Sequence, residues 1–395
     1  MNDSLRFSTQ LDAYVRSQQW IGYDPYDLKA HPLYLRLQHG GLTAFLAKAT
    51  ANLFPLTMRR LLHVRPVPHA KAMALFAEAY LTQYDLTGEP TYRDLAERRL
   101  AWLEEKATPG YSGLAWGLPF DYHGRDAVPA GKPSVVVTSI AARSLLHAYE
   151  SLKDPSYLEA AVSACRFLVA DVPRYEPDPG RLCFSKMPGV QWHIHNANLM
   201  VAATLALVGQ AAASNEWDDL VHRATNYTLA EQRADGAWYY WGPPDRLVHW
   251  VDHYHTGFVL RALDDLARVV GRRDLAEALD QGYEFYVHHL FDAGCIPRLT
   301  ETRCYPVDIH SCAEAILCLS QLATRYDDAL LRAIAVADWT LAHMRHHSGY
   351  FYYRRYRWLT IKIPYMRWAQ AWMLAALTHL RYALVKLSRP DSEAI

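Results

Sequence analysis

The chain is poor in the features that mark several functional classes. It has no CxxC pair, and its six cysteines (165, 183, 295, 304, 312 and 318) are scattered among apolar helical runs and loops. That spacing excludes a zinc ribbon or a redox dithiol and reads as reduced core thiols. Neither charge is in surplus, since 41 Lys and Arg balance 41 Asp and Glu. The electrostatic footprint of a nucleic-acid binder is therefore missing. No basic segment with an apolar run behind it follows the Met1-Asn2-Asp3-Ser4 start, so no signal peptide is expected and the chain is assigned to the cytoplasm. Arg367, His379 and Arg381 interrupt the apolar C-terminal stretch, which argues against a membrane span. Ser/Gly-rich linkers and charge blocks are lacking too, so residues 1–395 are expected to form one domain.

What the chain has instead is six helix starts, at 69–71, 134–138, 193–198, 250–255, 305–310 and 364–368. In each, polar, chargeable or aromatic residues crowd the first turn after a long loop. An almost wholly apolar run follows, such as 198–208 or 309–319, the pattern of a helix buried on every side. After each of the first five, a short break leads to a second helix with a one-sided apolar stripe. Glu89-Pro90 and Asp154-Pro155 supply a proline for the first helical position of two of these. Equivalent positions in the second helices, Tyr92, Tyr157, Trp217, Leu275 and Leu330, recur at steps of 65, 60, 58 and 55 residues. That is an internal repeat of helix pairs. The extra length lies in the return loops 107–133, 172–195, 231–251, 289–306 and 346–363, all on one face. Segments 4–19 and 33–50 also read as helical. The expected fold is all-α, an (α/α)6 toroid in which helices from about 1–60 close the ring and the loop-rich face holds a funnel.

The candidate chemistry lies on that face. Asp252 and His255 are three residues apart and share one side of a helix. Asp308 and His310 begin the next inner helix, where Asp308 suits an N-cap equally well. With inner helices ~8–10 Å apart, Asp252 and Asp308 can flank a water and a glycosidic bond as acid and base, as glycoside hydrolysis requires. A second reading gives proton transfer to His195, His255 and His310, a sugar carboxylate to Arg367, and the opposite-face acid to Tyr352 or Tyr365. That set suits epimerisation or β-elimination.

Trp116, Trp238, Tyr239, Trp250 and Tyr352 lie in or beside the long loops and can stack on pyranose faces, with His195, Asn196 and Asn198 to bond hydroxyls. Arg354, Arg355, Arg357, Lys362 and Arg367 form a local cationic exception that suits an anionic sugar or phosphate; for Arg354 and Arg355 a solvated loop face is the blander reading. The spacings His193-x-His195, His253-x-His255 and Asp308-x-His310-x-Cys312 look ligand-like. On a helix such pairs diverge by ~200°, so neither a metal nor a cofactor is expected.

Gln232-x-x-x-Gly236-x-Trp238 resembles the loop motif of terpene-cyclase-type α/α toroids, where it ties an outer helix to the next turn; the acidic motifs of those cyclases are not present. A longer series resembles VpsJ-like bacterial polysaccharide-biosynthesis proteins over about 65–385. It includes Leu114-Ala-Trp-Gly-Leu-Pro-Phe-Asp121, Asn196-Ala-Asn198, Trp250-Val-Asp-His-Tyr-His-Thr-Gly-Phe258, Tyr305-Pro-Val-Asp-Ile-His-Ser311 and Ile363-Pro-Tyr-Met-Arg-Trp368. The resemblance implies a six-hairpin glycosidase-like fold and a place in exopolysaccharide or cell-surface glycan metabolism. An aminolevulinate dehydratase label borne by some of that family does not suit an all-α reading, since that enzyme is a β/α barrel. Residues and resemblance together predict a carbohydrate-active enzyme whose partner is an oligosaccharide or polysaccharide, with anionic and lipid-linked forms left open. Hydrolysis is the leading reaction; a sugar or uronate epimerase, a lyase, a non-catalytic glycan-binding protein and an isoprenoid-binding toroid are the alternatives.

Overall fold

Four of the inner helices start where a side chain caps them. Ser134 accepts from the Val137 amide, Asp252 from His255, Asp308 from His310, and His69 Nδ1 from Lys71. Each fills a donor that a helical first turn leaves open. The computed structural model describes residues 2–37, 40–245 and 249–388, with backbone alone for 2–7. Its helices α1 (Asn2–Ser17), α2 (Pro32–Leu37), α3 (Gly41–Leu53) and α4 (Pro55–Leu61) precede five hairpins. These are α5 (Ala70–Thr87) with α6 (Pro90–Glu105), α7 (Val135–Leu152) with α8 (Pro155–Ala170), α9 (His195–Ala211) with α10 (Asp218–Leu229), α11 (His253–Val270) with α12 (Arg273–His289), and α13 (Ile309–Gln321) with α14 (Ala329–His343). A π-helical turn, Met366–Ala371, leads into α15 (Trp372–Ser388).

The inner helices α5, α7, α9, α11, α13 and α15 pack side by side in that order, and α15 packs back onto α5. The ring is closed. Its outer layer is α6, α8, α10, α12 and α14, with α1 against α15 in the sixth place. Burial follows the hydropathy pattern: α13 is buried from Ile309 to Ser320 without a break, whereas α6 buries only Leu95, Ala96, Leu100 and Leu103. Each large apolar side chain sunk this way contributes roughly 1.5–3 kcal/mol. Helices α11 and α13 approach closely at Gly257, where an added Cβ would lie 2.7 Å from the Glu314 side chain. Left-handed Gly88 and Gly271 (φ 68° and 69°) end α5 and α11, as the C-terminal position of a helix favours.

The return loops hold short antiparallel strands. Val307–Asp308 pairs with Arg354–Arg355, which pairs in turn with Thr360–Ile361, so Asp308 stands opposite Arg354. The helix expected over 33–50 is two short ones, α2 and α3; residues 38–39 between them lie outside the described residues, as do 246–248 in the loop predicted at 231–251. Leu28, Tyr34 and Ala47 form a small core of their own, separate from that of the ring. No described helix is long and apolar enough to cross a membrane.

Candidate active site

The loop face surrounds a cavity of about 380 Å³, within the size range of small-molecule sites. Its wall is strongly aromatic, with Tyr122, Trp192, Tyr240, Trp241, Trp250 and Tyr254, and its polar groups are Arg125, Lys186, Asp252, His255, Thr300 and Arg354. Trp250 stacks on Tyr240 at 5.3 Å and 12°, which fixes one flat wall. A narrow cleft beside it is lined by His195, Asn196, Trp238, Tyr239, Asp252 and His255.

Asp252 and His255 form the polar centre of the wall. Because Asp252 caps α11, its carboxylate lies beside the ring of His255 one turn on, with Oδ2 2.6 Å from Nδ1. The carboxylate also accepts from the His255 amide at 3.0 Å and from Trp250 Nε1 at 3.0 Å. Burial pushes the Asp252 pKa up, but the histidine and these hydrogen bonds outweigh it and hold the group below the usual carboxylate range. An ionised carboxylate can only accept, so His255 Nδ1 carries its proton and Nε2 is the nitrogen left for the cavity.

Asp308 and His310 stand at the equivalent place on α13, with a different outcome. Asp308 is fully buried and accepts from the His310 amide (3.0 Å), Trp368 Nε1 (2.8 Å) and Arg354 Nε (2.6 Å). It holds Arg354 in the cavity wall and does not itself line the cavity. His310 Nδ1 donates to the Trp368 carbonyl at 3.3 Å, which fixes Nε2 as the unprotonated nitrogen of a neutral ring. Burial, followed by the charge of Lys71, keeps His310 well below the ordinary histidine range. The Tyr254 ring touches both histidines, 4.1 Å from His255 and 4.8 Å from His310.

A cationic region adjoins this pair. Arg367 is buried and bonded through Nη2 to Asp24 Oδ1 at 2.9 Å. Lys186 is half-buried, 4.9 Å from the Trp192 ring, and burial followed by the charge of Arg367 lowers its pKa to about 8. Lys71, at the start of α5, is lowered further by burial, then by Arg367 and Lys186. Among the described residues neither lysine has a carboxylate within ion-pair distance.

The other predicted residues divide between cleft and scaffold. His195, Asn196, Trp238 and Tyr239 line the narrow cleft, and among the described residues nothing hydrogen-bonds the buried Asn196 Oδ1. Trp116 donates to the Leu103 carbonyl, and Asn198 joins Phe184 N to Ala224 O and Thr228 Oγ1. Tyr365 packs under the Arg59 guanidinium, and Tyr352 lies with Tyr350 and His346. None of these four lines the cavity. Lys186, Arg125 and Thr300 line it, although sequence reasoning gave them no role. They sit in loops without periodicity; the aromatics near Lys186 in the 172–195 loop are the one available signal.

No family model matches the chain, and no curated protein matches it. Solved structures do. Cellobiose 2-epimerase from Bacillus thermoamylovorans aligns with a TM-score of 0.63 at 12% identity over 81% of this chain and 90% of its own. The family 76 α-mannanase of Bacteroides thetaiotaomicron gives 0.63 at 14% over 81% and 87%. An unsaturated glucuronyl hydrolase specific for heparin gives 0.61 at 14% over 82% and 89%. At such identities the likeness is one of fold, and the chain is an (α/α)6 toroid like these three.

Proposed function

We propose that the protein is a carbohydrate-active enzyme that moves a proton on the carbon skeleton of an anionic sugar, with His255 as the proton carrier. The observation that carries this reading is the 2.6 Å contact between His255 Nδ1 and Asp252, set in the cavity wall. A ring held so takes a proton from a sugar carbon on Nε2 while Asp252 balances its charge, and returns the proton on the same or the neighbouring carbon. His310, neutral and oriented by the Trp368 carbonyl, lines neither the cavity nor the cleft and adjoins His255 through the Tyr254 ring. Lys186 and Arg354 are placed to offset charge on the sugar and on the enolate that proton removal creates. Epimerisation or isomerisation of a uronate or phosphorylated sugar fits this set, and the motif resemblance supports a bacterial surface polysaccharide as its setting.

Hydrolysis by Asp252 and Asp308 finds less support in the geometry. Asp252 is held ionised, which suits a base rather than an acid, and Asp308 would have to leave three donors to reach the cavity. Incubation with uronic and neutral sugars in D₂O distinguishes the readings. Solvent deuterium at a sugar C–H, abolished in His255→Asn, is the expected result. Release of reducing ends without deuterium incorporation would overturn proton transfer in favour of hydrolysis.

A further inference from the structure

Residues 28–77 contain seven Lys and Arg and not one Asp or Glu, in a chain whose charges balance overall. The same segment holds nine of the fourteen large apolar side chains that the described structure exposes: Leu33, Leu37, Leu42, Phe45, Leu46, Leu53, Phe54, Leu56 and Leu61. Their arrangement is ordered. On α3, Leu42, Phe45, Leu46 and Leu53 follow the i, i+3, i+4, i+11 spacing of one helical face, and that face points outward, with Leu42 72% and Phe45 68% exposed. A helix that packs for its own stability turns this stripe inward. Here the inward contact is the small Ala47, and the cations Lys29, Arg36, Lys48, Arg60 and Arg65 are exposed around the stripe.

A second exposed element adjoins this segment. The hairpin from Arg354–Arg355 to Thr360–Ile361 carries Trp358 at its tip, 87% exposed, beside Leu359 and under the Arg357 guanidinium. The Arg59 guanidinium of α4 lies 5.0 Å from the Tyr365 ring, which meets the ring of Tyr353 at 4.8 Å, and Tyr353 adjoins Arg354, so the base of this hairpin is next to the helical segment. Exposed apolar residues ringed by cations, with tryptophan at the margin and no carboxylate in the segment, match the interfacial zone of a bilayer with an anionic surface. We propose that α2–α4 and the Trp358 hairpin form a docking face for an anionic phospholipid membrane, on which the protein lies without spanning it. Charge complementarity selects this occupant over a second copy of the chain, because two such faces brought together would oppose cation to cation. Arg354 lines the cavity and Trp358 is four residues along the hairpin, at most ~14 Å of extended chain. Docking therefore sets the cavity beside the lipid surface.

Cosedimentation of the full chain with phosphatidylglycerol vesicles and with phosphatidylcholine vesicles tests the proposal. The expected result is binding to the anionic vesicles, at least tenfold weaker for the neutral ones and falling as salt is raised. Phe45→Asp, whose side chain packs on nothing in the core, should weaken vesicle binding at least tenfold while circular dichroism and the thermal midpoint stay unchanged. Lys48→Gln with Arg60→Gln should lower binding to anionic vesicles alone. No binding of the wild-type chain to anionic vesicles, or equal binding by Phe45→Asp, overturns the proposal. So does a dimer in solution that Phe45→Asp dissociates while vesicles remain unbound, since that assigns the face to self-association. None of these outcomes depends on the sugar reading, which the deuterium experiment tests separately.

Discussion

Asp252 and Asp308 occupy equivalent positions, each capping an inner helix, and the surroundings give them different work. Asp252 faces His255 across 2.6 Å in the cavity wall, whereas Asp308 is shut in by Trp368 and Arg354. Asp252→Asn keeps a cap and the shape but removes the acceptor that fixes the histidine tautomer. Its turnover number should fall by roughly 10²–10⁴ with little change in KM; a KM effect alone would make Asp252 a substrate-binding group. Lys186 gives a second prediction through pH. Its pKa of about 8, lowered by burial and Arg367, means that the cation is lost as pH rises through that value. Affinity for an anionic sugar should therefore weaken above about pH 8, and Lys186→Met should bind weakly at every pH with that step abolished. A neutral sugar should show no step.

At the scale of elements, the Gln232-x-x-x-Gly236-x-Trp238 loop shows what a short motif holds in place. Gln232 Nε2 donates to the Gly236 carbonyl at 3.0 Å and to Ala278 of the next outer helix at 2.9 Å, and Trp238 Nε1 donates to Thr228 O at 2.9 Å. Gly236 has φ +90°, and a Cβ there would lie 2.2 Å from the Gln281 carbonyl oxygen. Gly236→Ala should destabilise the fold by several kcal/mol, because both strain and backbone clash oppose it; a urea midpoint equal to wild type would refute this account. Helix pairs, their order and the Asp308 cap were legible in the sequence because periodicity and capping are local. The contents of the cavity were less so. Nothing near Lys186 in the chain announces that its ammonium feels the charge of Arg367, and nothing near Arg367 announces Asp24, which is 343 positions away. The outward apolar stripe of α3 reads in sequence as an ordinary core helix, since periodicity reports that a face exists and not which way it points.

For the whole molecule, closing the ring buries imidazoles that an unfolded chain leaves in water. Burial lowers His253 to about 3 and His379 to about 4, so both stay neutral in the folded protein across mildly acidic pH. Unfolded histidine titrates near 6.5. Below that pH the unfolded chain takes up protons that the folded chain refuses, and folding stability is lost as pH falls, by up to about 1.4 kcal/mol per pH unit for each such histidine. The window runs from 6.5 down toward the folded values. His253 isolates the effect: its ring packs on Tyr286 and Phe291, and among the described residues the ring hydrogen-bonds with the Tyr286 hydroxyl. His253→Phe keeps the ring contacts and loses that bond, which should cost about 1 kcal/mol at pH 7. Between pH 7 and pH 5, however, the variant should lose roughly 2 kcal/mol less than the wild type, because it has no imidazole to protonate on unfolding. Urea denaturation at the two pH values measures the difference directly. Identical losses in both proteins would mean that His253 takes up its proton in the folded state, and the acid sensitivity would then have to originate elsewhere in the ring.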